Sequence, residues 1–283
     1  MKLPLLLLAT ALAPIIWGTT YIVTTEFLPD GYPLTAAMLR ALPAGLLLLA
    51  FTRALPSPLW LARCFVLGAL NFSIFWWLLF VAAYALPGGI AATVGAVQPI
   101  LVLFLSAVFL QSRLSLLAVL AGFGGVLGVS LLMVQSTVSL PPVGLLAAFG
   151  GAVSMAFGIV LTKVWQPDVS PLTFTAWQLT CGGALLLPIS MIYEPALTGV
   201  DLKAVAGFMY LGVIGGALTY FLWFSGIARL GPNTVAPLGL LSPVTAVILG
   251  WGILGQSFNA TQAIGAALVL ASVFFCVRLA RSA

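Results

Sequence analysis

The chain has 283 residues, 63% hydrophobic and 5% charged, with a mean hydropathy of +1.24 and a formal net charge of +5. A soluble domain spends about 25% of its residues on charge to keep its surface wet. This composition therefore excludes a soluble protein and leaves an all-α polytopic membrane protein whose main solvent is lipid.

A bilayer core of about 30 Å takes about 20 helical residues. Apolar runs divided by polar and Pro/Gly breaks predict ten spans, at about 4–24, 33–52, 63–86, 88–110, 114–133, 142–163, 171–192, 203–228, 233–254 and 261–280. The first imitates a signal peptide, with Lys2, an apolar run and Ala-Leu-Ala at 11–13. Its run continues through Ile15, Ile16 and Trp17, so it is read as a retained span. The linkers 52–58, 136–142 and 230–233 are short and turn-like, and no soluble domain is expected. With the N-terminus in the cytoplasm, Lys2, Arg53, Arg63, Arg113, Lys163, Arg229, Arg278 and Arg281 fall inside and only Lys203 outside, with Arg40 left within a span. Positive charge collects on cytoplasmic loops. Both termini are therefore predicted cytoplasmic, and the net charge reads as orientation rather than nucleic-acid binding.

Chemistry is sparse. There is no histidine, and the acids are Glu26, Asp30, Asp168, Glu194 and Asp201. These make neither a metal cluster nor a catalytic carboxylate pair, and no lysine follows a glycine in a phosphate-binding loop. No cofactor, metal or intrinsic ATPase is expected, and an intramembrane enzyme lacks its catalytic groups. Cys64, Cys181 and Cys276 read as small buried hydrophobes.

The second half echoes the first. Residues 32–49 lie over 170–187 at an offset of 138, sharing Pro-Leu-Thr and placing Arg40 on Gln178. Residues 85–100 lie over 229–244 at an offset of 144, aligning Leu86 with Leu230, Ala92 with Ala236, Gly95 with Gly239 and Pro99 with Pro243. Five spans per copy make the second copy enter the membrane upside down. The expectation is one integral unit of two inverted five-helix repeats, 1–135 and 136–283, with substrate near the midplane between them.

Trp-Gly-Thr-Thr-Tyr at 17–21 resembles the opening pattern of the drug/metabolite transporter superfamily, specifically its EamA branch. The stretches from Gly95 and Gly239, each with a mid-helix proline followed by a small-residue final helix, resemble that branch's repeat core. The set is most similar to the YddG-type amino-acid exporters. The resemblance implies a multi-pass protein of the bacterial inner membrane that exports amino acids and similar metabolites by alternating access. It also implies a cavity lined by helices one to four and six to nine, with five and ten peripheral. One departure is that Gln111-Ser112 and Gly255-Gln256 stand where members often carry Gly-Glu.

Candidate site residues follow from the repeat. Pro99 and Pro243 would loosen spans four and nine at matching places, beside the polar Gln98 and Ser242. Trp76 maps to Tyr220, Phe80 to Phe224, and Trp17 corresponds to Phe157. These rings sit near mid-depth, where indole and phenol want a partner or a wet cavity, although plain packing would place them there too. Trp60, Trp165 and Trp251 read as interface residues. Asn71 and Gln178 are polar candidates facing the interior. Arg40 lies about 10 Å below the outer boundary, where it either snorkels outward or lines an outer vestibule and attracts a carboxylate. Gly124-x-x-x-Gly128 would pack span five closely.

The leading reading is a carrier for amino acids, aromatic or otherwise apolar, and related metabolites. The alternatives are a multidrug or aromatic-cation exporter of the same fold, or a passive solute channel. The partners are a small solute and lipid, and the working unit is read as a monomer. No span holds Asp, Glu or His, so flux down a substrate gradient should need no proton gradient.

Overall fold

A computed structural model describes residues 3–85, 92, 94–132, 141–255 and 259–282, and every element it assigns there is helical. α1 (Leu3–Gly18) and α2 (Thr20–Phe27) form one interrupted rod, followed by α3 (Pro33–Thr52). α4 (Pro58–Gly68) runs through a π-helical segment, Ala69–Ser73, into α5 (Ile74–Ala85). Then come α6 (Gln98–Phe109), α7 (Leu116–Leu132), α8 (Pro142–Val164) and α9 (Pro171–Tyr193). α10 (Leu202–Met209) passes through a second π-helical segment, Tyr210–Leu218, into α11 (Thr219–Leu230). α12 (Pro232–Val235) leads through a 3₁₀ segment, Ala236–Leu240, to α13 (Leu241–Leu254), and α14 (Ala260–Ser282) ends the chain.

Prolines and caps set many of the starts. Pro33, Pro58, Pro142 and Pro171 stand in first turns, where a missing N–H costs nothing. Ser170 and Asp201 accept from the amides three residues on. The third span therefore starts at Pro58 rather than 63, because Ser57-Pro58 opens a helix.

Seven helices among the described residues are long and apolar enough to cross a membrane, and Leu3–Gly18, Gln98–Phe109 and Leu116–Leu132 are shorter apolar helices. Large apolar side chains face outward along these rods, including Leu8, Phe51, Leu116, Leu146, Ile192 and Phe274, as lipid as solvent demands. The repeat boundary at 135/136, Lys2, Leu86 and Gln256 lie outside the described residues.

The helix contacts follow a pattern. α3 packs on α9 and α7 on α14. α5 packs on α8 while α1 packs on α11, and α6 packs on α8 while α1 packs on α13. In each of the last two statements both contacts join a helix before residue 135 to one after it, and by the sequence offsets the two contacts are counterparts. The two π segments also correspond, since Ala69–Ser73 shifted by the offset of 144 falls within Tyr210–Leu218.

Glycines set the closest approaches. A Cβ at Gly183 would lie 2.5 Å from the Leu42 backbone, and one at Gly68 2.6 Å from the Gly182 amide. Between α7 and α14 the α7 glycines in close contact are Gly125 and Gly128, the latter opposite Gly265, whereas a Cβ at Gly124 would meet nothing within 4 Å. The Gly124-x-x-x-Gly128 expectation is therefore corrected: the spacing at this interface is three, and Gly124 faces away.

Candidate substrate site

The rings of three helices meet inside the bundle. Trp17 of α1 lies 4.9 Å from Tyr220 of α11, centroid to centroid, and 5.0 Å from Trp223. Phe72 lies 4.6 Å from Tyr220 and 5.3 Å from Trp76 of α5, and Trp76 is 6.0 Å from Tyr220. Phe224 closes the group, 5.6 Å from Tyr220 and 6.2 Å from Phe72. Most of these contacts are tilted or edge-to-face, as ring quadrupoles prefer. Helical spacing builds the cluster: Phe72 and Trp76 are four apart on one face, as are Tyr220 and Phe224, with Trp223 at three.

The polar atoms are placed with equal economy. Trp17 Nε1 donates to Thr219 Oγ1 at 2.9 Å, and Thr219 Oγ1 donates to the Gly215 carbonyl at 2.7 Å. Arg40 Nη2 donates to the same carbonyl at 2.7 Å, and its guanidinium carbon lies 4.9 Å from the Trp76 ring centroid. The Arg40 side chain therefore turns inward to the rings. Its Nε is buried without a hydrogen-bond partner.

A second polar group lies beside the other π segment. Asn71 Nδ2 donates to Gln178 Oε1 at 2.9 Å and to Thr162 Oγ1 at 3.2 Å, all three side chains being buried. Asn71 Oδ1 and Gln178 Nε2 have no partner. Ser154 Oγ donates to the Leu70 carbonyl at 2.8 Å. Both π segments thus meet carbonyl-directed donors from neighbouring helices, which makes the wider turn tolerable.

Of the sequence candidates, the structure brings together Trp17, Trp76, Tyr220 and Arg40. Among the described residues the ring contacts do not extend to Phe157, which packs edge-on against Phe109 at 6.2 Å. Gln98 opens α6, half-buried, with its Nε2 unpartnered, and Pro99 stands in that first turn, just after the turn at Ala96–Val97. Ser242 and Pro243 open α13 after the 3₁₀ segment, and the Ser242 carbonyl faces Gly18 beside Trp17. The helix interruptions thus lie N-terminal to the two prolines. Trp60 and Trp165 share the guanidinium of Arg63, at 4.8 and 5.7 Å, and Trp251 is exposed. Sequence reading missed Phe72, Trp223, Thr219 and Gly215. The i, i+3 and i, i+4 spacing from Trp76 and Tyr220 was a usable signal for the first two.

These features define a class: a multi-pass helical membrane protein with a cluster of rings and an arginine turned into its interior. The model of the EamA-like transporter family matches twice, over residues 4–134 and 142–278. Protein PecM of Dickeya dadantii (strain 3937) is 44% identical over 263 residues, covering 92% of this chain and 88% of that protein. A probable amino-acid metabolite efflux pump of Salmonella typhimurium is 26% identical over 279 residues, covering 94% and 92%. A solved crystal structure that is 20% identical superimposes with a TM-score of 0.81 over 98% of both chains, a likeness of fold alone. The chain belongs to the EamA-like transporter family, within the drug/metabolite transporter superfamily. It is a membrane transporter rather than an enzyme, and it works on a small-molecule substrate in lipid.

Proposed function

We propose that the chain exports amino acids, aromatic and other apolar ones foremost, and related metabolites by alternating access through the bundle centre. The observation that carries this reading is the convergence of Trp17, Trp76 and Tyr220, from α1, α5 and α11, on one buried cluster between the two halves. Rings from both halves can hold an apolar side chain in either of two orientations of the bundle. The name of the Salmonella relative supports the substrate class.

The scaffold in this proposal has ten spans, in two inverted five-helix repeats on either side of residue 135. Both termini lie in the cytoplasm of a bacterial inner membrane. The double family match, the crossed pairing of α5–α8 with α1–α11 and the matched π segments support it. Gln98 and Ser242 flank the rings in this scheme, with Pro99 and Pro243 marking where α6 and α13 are interrupted.

The test is uptake of labelled phenylalanine by purified protein in liposomes. Trp76→Ala and Tyr220→Ala should each lose about 1–3 kcal/mol of substrate binding while still inserting normally. Unchanged transport by both variants would remove the ring cluster from the site. Rings alone also suit an aromatic cation, so phenethylamine carried in place of phenylalanine would favour the multidrug reading. Linear, unsaturable flux without counterflow would mean a channel.

A further inference from the structure

Resting on the reading of the ring cluster as the substrate site, we propose that the Arg40 guanidinium is the carboxylate receptor of that site. The transporter then selects solutes carrying a carboxylate beside an aromatic or apolar group. A guanidinium has five N–H donors in a planar fork. Arg40 directs Nη2 to the Gly215 carbonyl at 2.7 Å, while its Nε is buried and unpartnered. The acids of the chain are Glu26, Asp30, Asp168, Glu194 and Asp201, so none lies in α1, α3, α5, α11 or either π segment. The Trp76 face, 4.9 Å from the guanidinium carbon, and one carbonyl offset part of the cost of a buried cation. A carboxylate on the Nε edge supplies the missing counter-charge with the geometry an arginine fork fits best. Its own side chain would then lie against Trp76 and Tyr220.

The other half of the chain supplies the contrast. Gln178 follows Arg40 by 138 residues, and Gly215 follows Asn71 by 144, the two offsets of the internal repeat. The Arg40–Gly215 and Gln178–Asn71 contacts therefore join equivalent positions. On the Gln178 side both partners are neutral, and the Asn71 side chain fills the space between them. On the Arg40 side position 215 has no side chain, and an added Cβ would stand 3.5 Å from Nη2. A purely structural contact would be served by the neutral, filled version at both places. Each side leaves an unpartnered side-chain N–H, Gln178 Nε2 on one and Arg40 Nε on the other, and only the second carries a charge for a ligand to neutralise.

The test titrates the purified protein with phenylalanine, 3-phenylpropanoate and phenethylamine, reading tryptophan emission, because Trp76 lies over the guanidinium. Both carboxylates should bind at least 10-fold more tightly than the amine. Arg40→Gln should erase that preference, and Arg40→Lys should keep part of it, having the charge but not the fork. Thermal unfolding of each variant shows whether it is folded, and the wild-type comparison needs no variant. Equal binding of 3-phenylpropanoate and phenethylamine by the wild type would overturn the proposal, as would a folded Arg40→Gln variant that keeps the preference. Transport in liposomes separates the two readings. Arg40-dependent carboxylate binding without movement of any of the three solutes sinks the exporter reading alone. Saturable phenylalanine transport with no carboxylate preference sinks the receptor alone.

Discussion

The α3–α9 interface and the α1–α5–α11 cluster solve the same problem in opposite ways. Lipid is as apolar as a leucine side chain, so helices in a bilayer associate through packing and hydrogen bonds rather than hydrophobic expulsion. α3 and α9 meet backbone to backbone, with Gly45 against Thr180, Gly183 against Leu42, and Gly182 against Gly68 at the start of the neighbouring π segment. Their ends are tied as well. The Glu194 carboxylate accepts from the Leu34 and Thr35 amides at 2.6 and 2.7 Å, and at the opposite end Trp177 Nε1 donates to the Ala54 carbonyl at 2.7 Å. In the second region α1 and α11 pack together, and the contacts that reach across to Phe72 and Trp76 are made by rings, with Arg40 Nε and Trp223 Nε1 left unpartnered. A solute can take the place of rings and orphaned polar atoms, whereas it cannot enter a contact made of backbone. In the proposed function the glycine-packed faces form the fixed frame, and the ring-filled space takes the substrate.

That contrast breaks most clearly at Gly183. Gly183→Ala places a methyl 2.5 Å from the Leu42 backbone, which no rotamer relieves, so α3 and α9 must part. The expected loss is about 3 kcal/mol, the upper end of overpacking effects. It should appear as a lower thermal midpoint in detergent, with transport lost in proportion to unfolded protein. An unchanged midpoint would show that this face is not rigid.

In the ring region the balance should reverse. Thr219→Val keeps the shape but removes both the acceptor that Trp17 Nε1 reaches at 2.9 Å and the hydroxyl that donates to the Gly215 carbonyl at 2.7 Å. The Gly215 carbonyl keeps Arg40, and each lost hydrogen bond is worth about 1 kcal/mol, so the midpoint should fall less than for Gly183→Ala. Transport should fall more than stability, because Trp17 loses its orientation, and the tryptophan emission should shift. A large stability loss with normal transport by the surviving protein would place Thr219 in the frame instead.

Much of this division is legible in the sequence, and the reason is periodicity. Trp76 and Tyr220 share a repeat position, and a ring in mid-span with no interface to sit in points inward, where the structure places both. The π segments carry no such signal. Nothing in Ala-Leu-Asn-Phe-Ser distinguishes a five-residue turn from a four-residue one. The widening is tolerable only because Ser154 and Arg40 arrive from helices far away in the chain to meet Leu70 and Gly215 carbonyls. The partners of Arg40 were hidden for the same reason, since a carbonyl partner leaves no trace in side-chain composition. Phe157 shows the opposite limit: its correspondence to Trp17 rests on a spacing of 140 residues. That spacing says nothing about rotation about the helix axis, and the side chain packs on Phe109.

The smallest expected effect is the one that separates sequence pattern from packing. By pattern, Gly124 and Gly128 form one small-residue motif and should be equally intolerant. By structure, a Cβ at Gly128 would lie 2.8 Å from the Val269 amide nitrogen and 2.9 Å from the Gly265 carbonyl, whereas one at Gly124 would meet nothing within 4 Å. Alanine is the better helix former by about 0.5–1 kcal/mol, so Gly124→Ala should leave the thermal midpoint unchanged or raise it slightly. Gly128→Ala gains the same propensity but must push α14 away, and overpacking of about 1–3 kcal/mol outweighs it. Measured side by side, the two variants should differ in sign. Equal losses would return Gly124 to the interface and mean that α7 is rotated about its axis from the orientation described, with Gly125 turned away from Ser272.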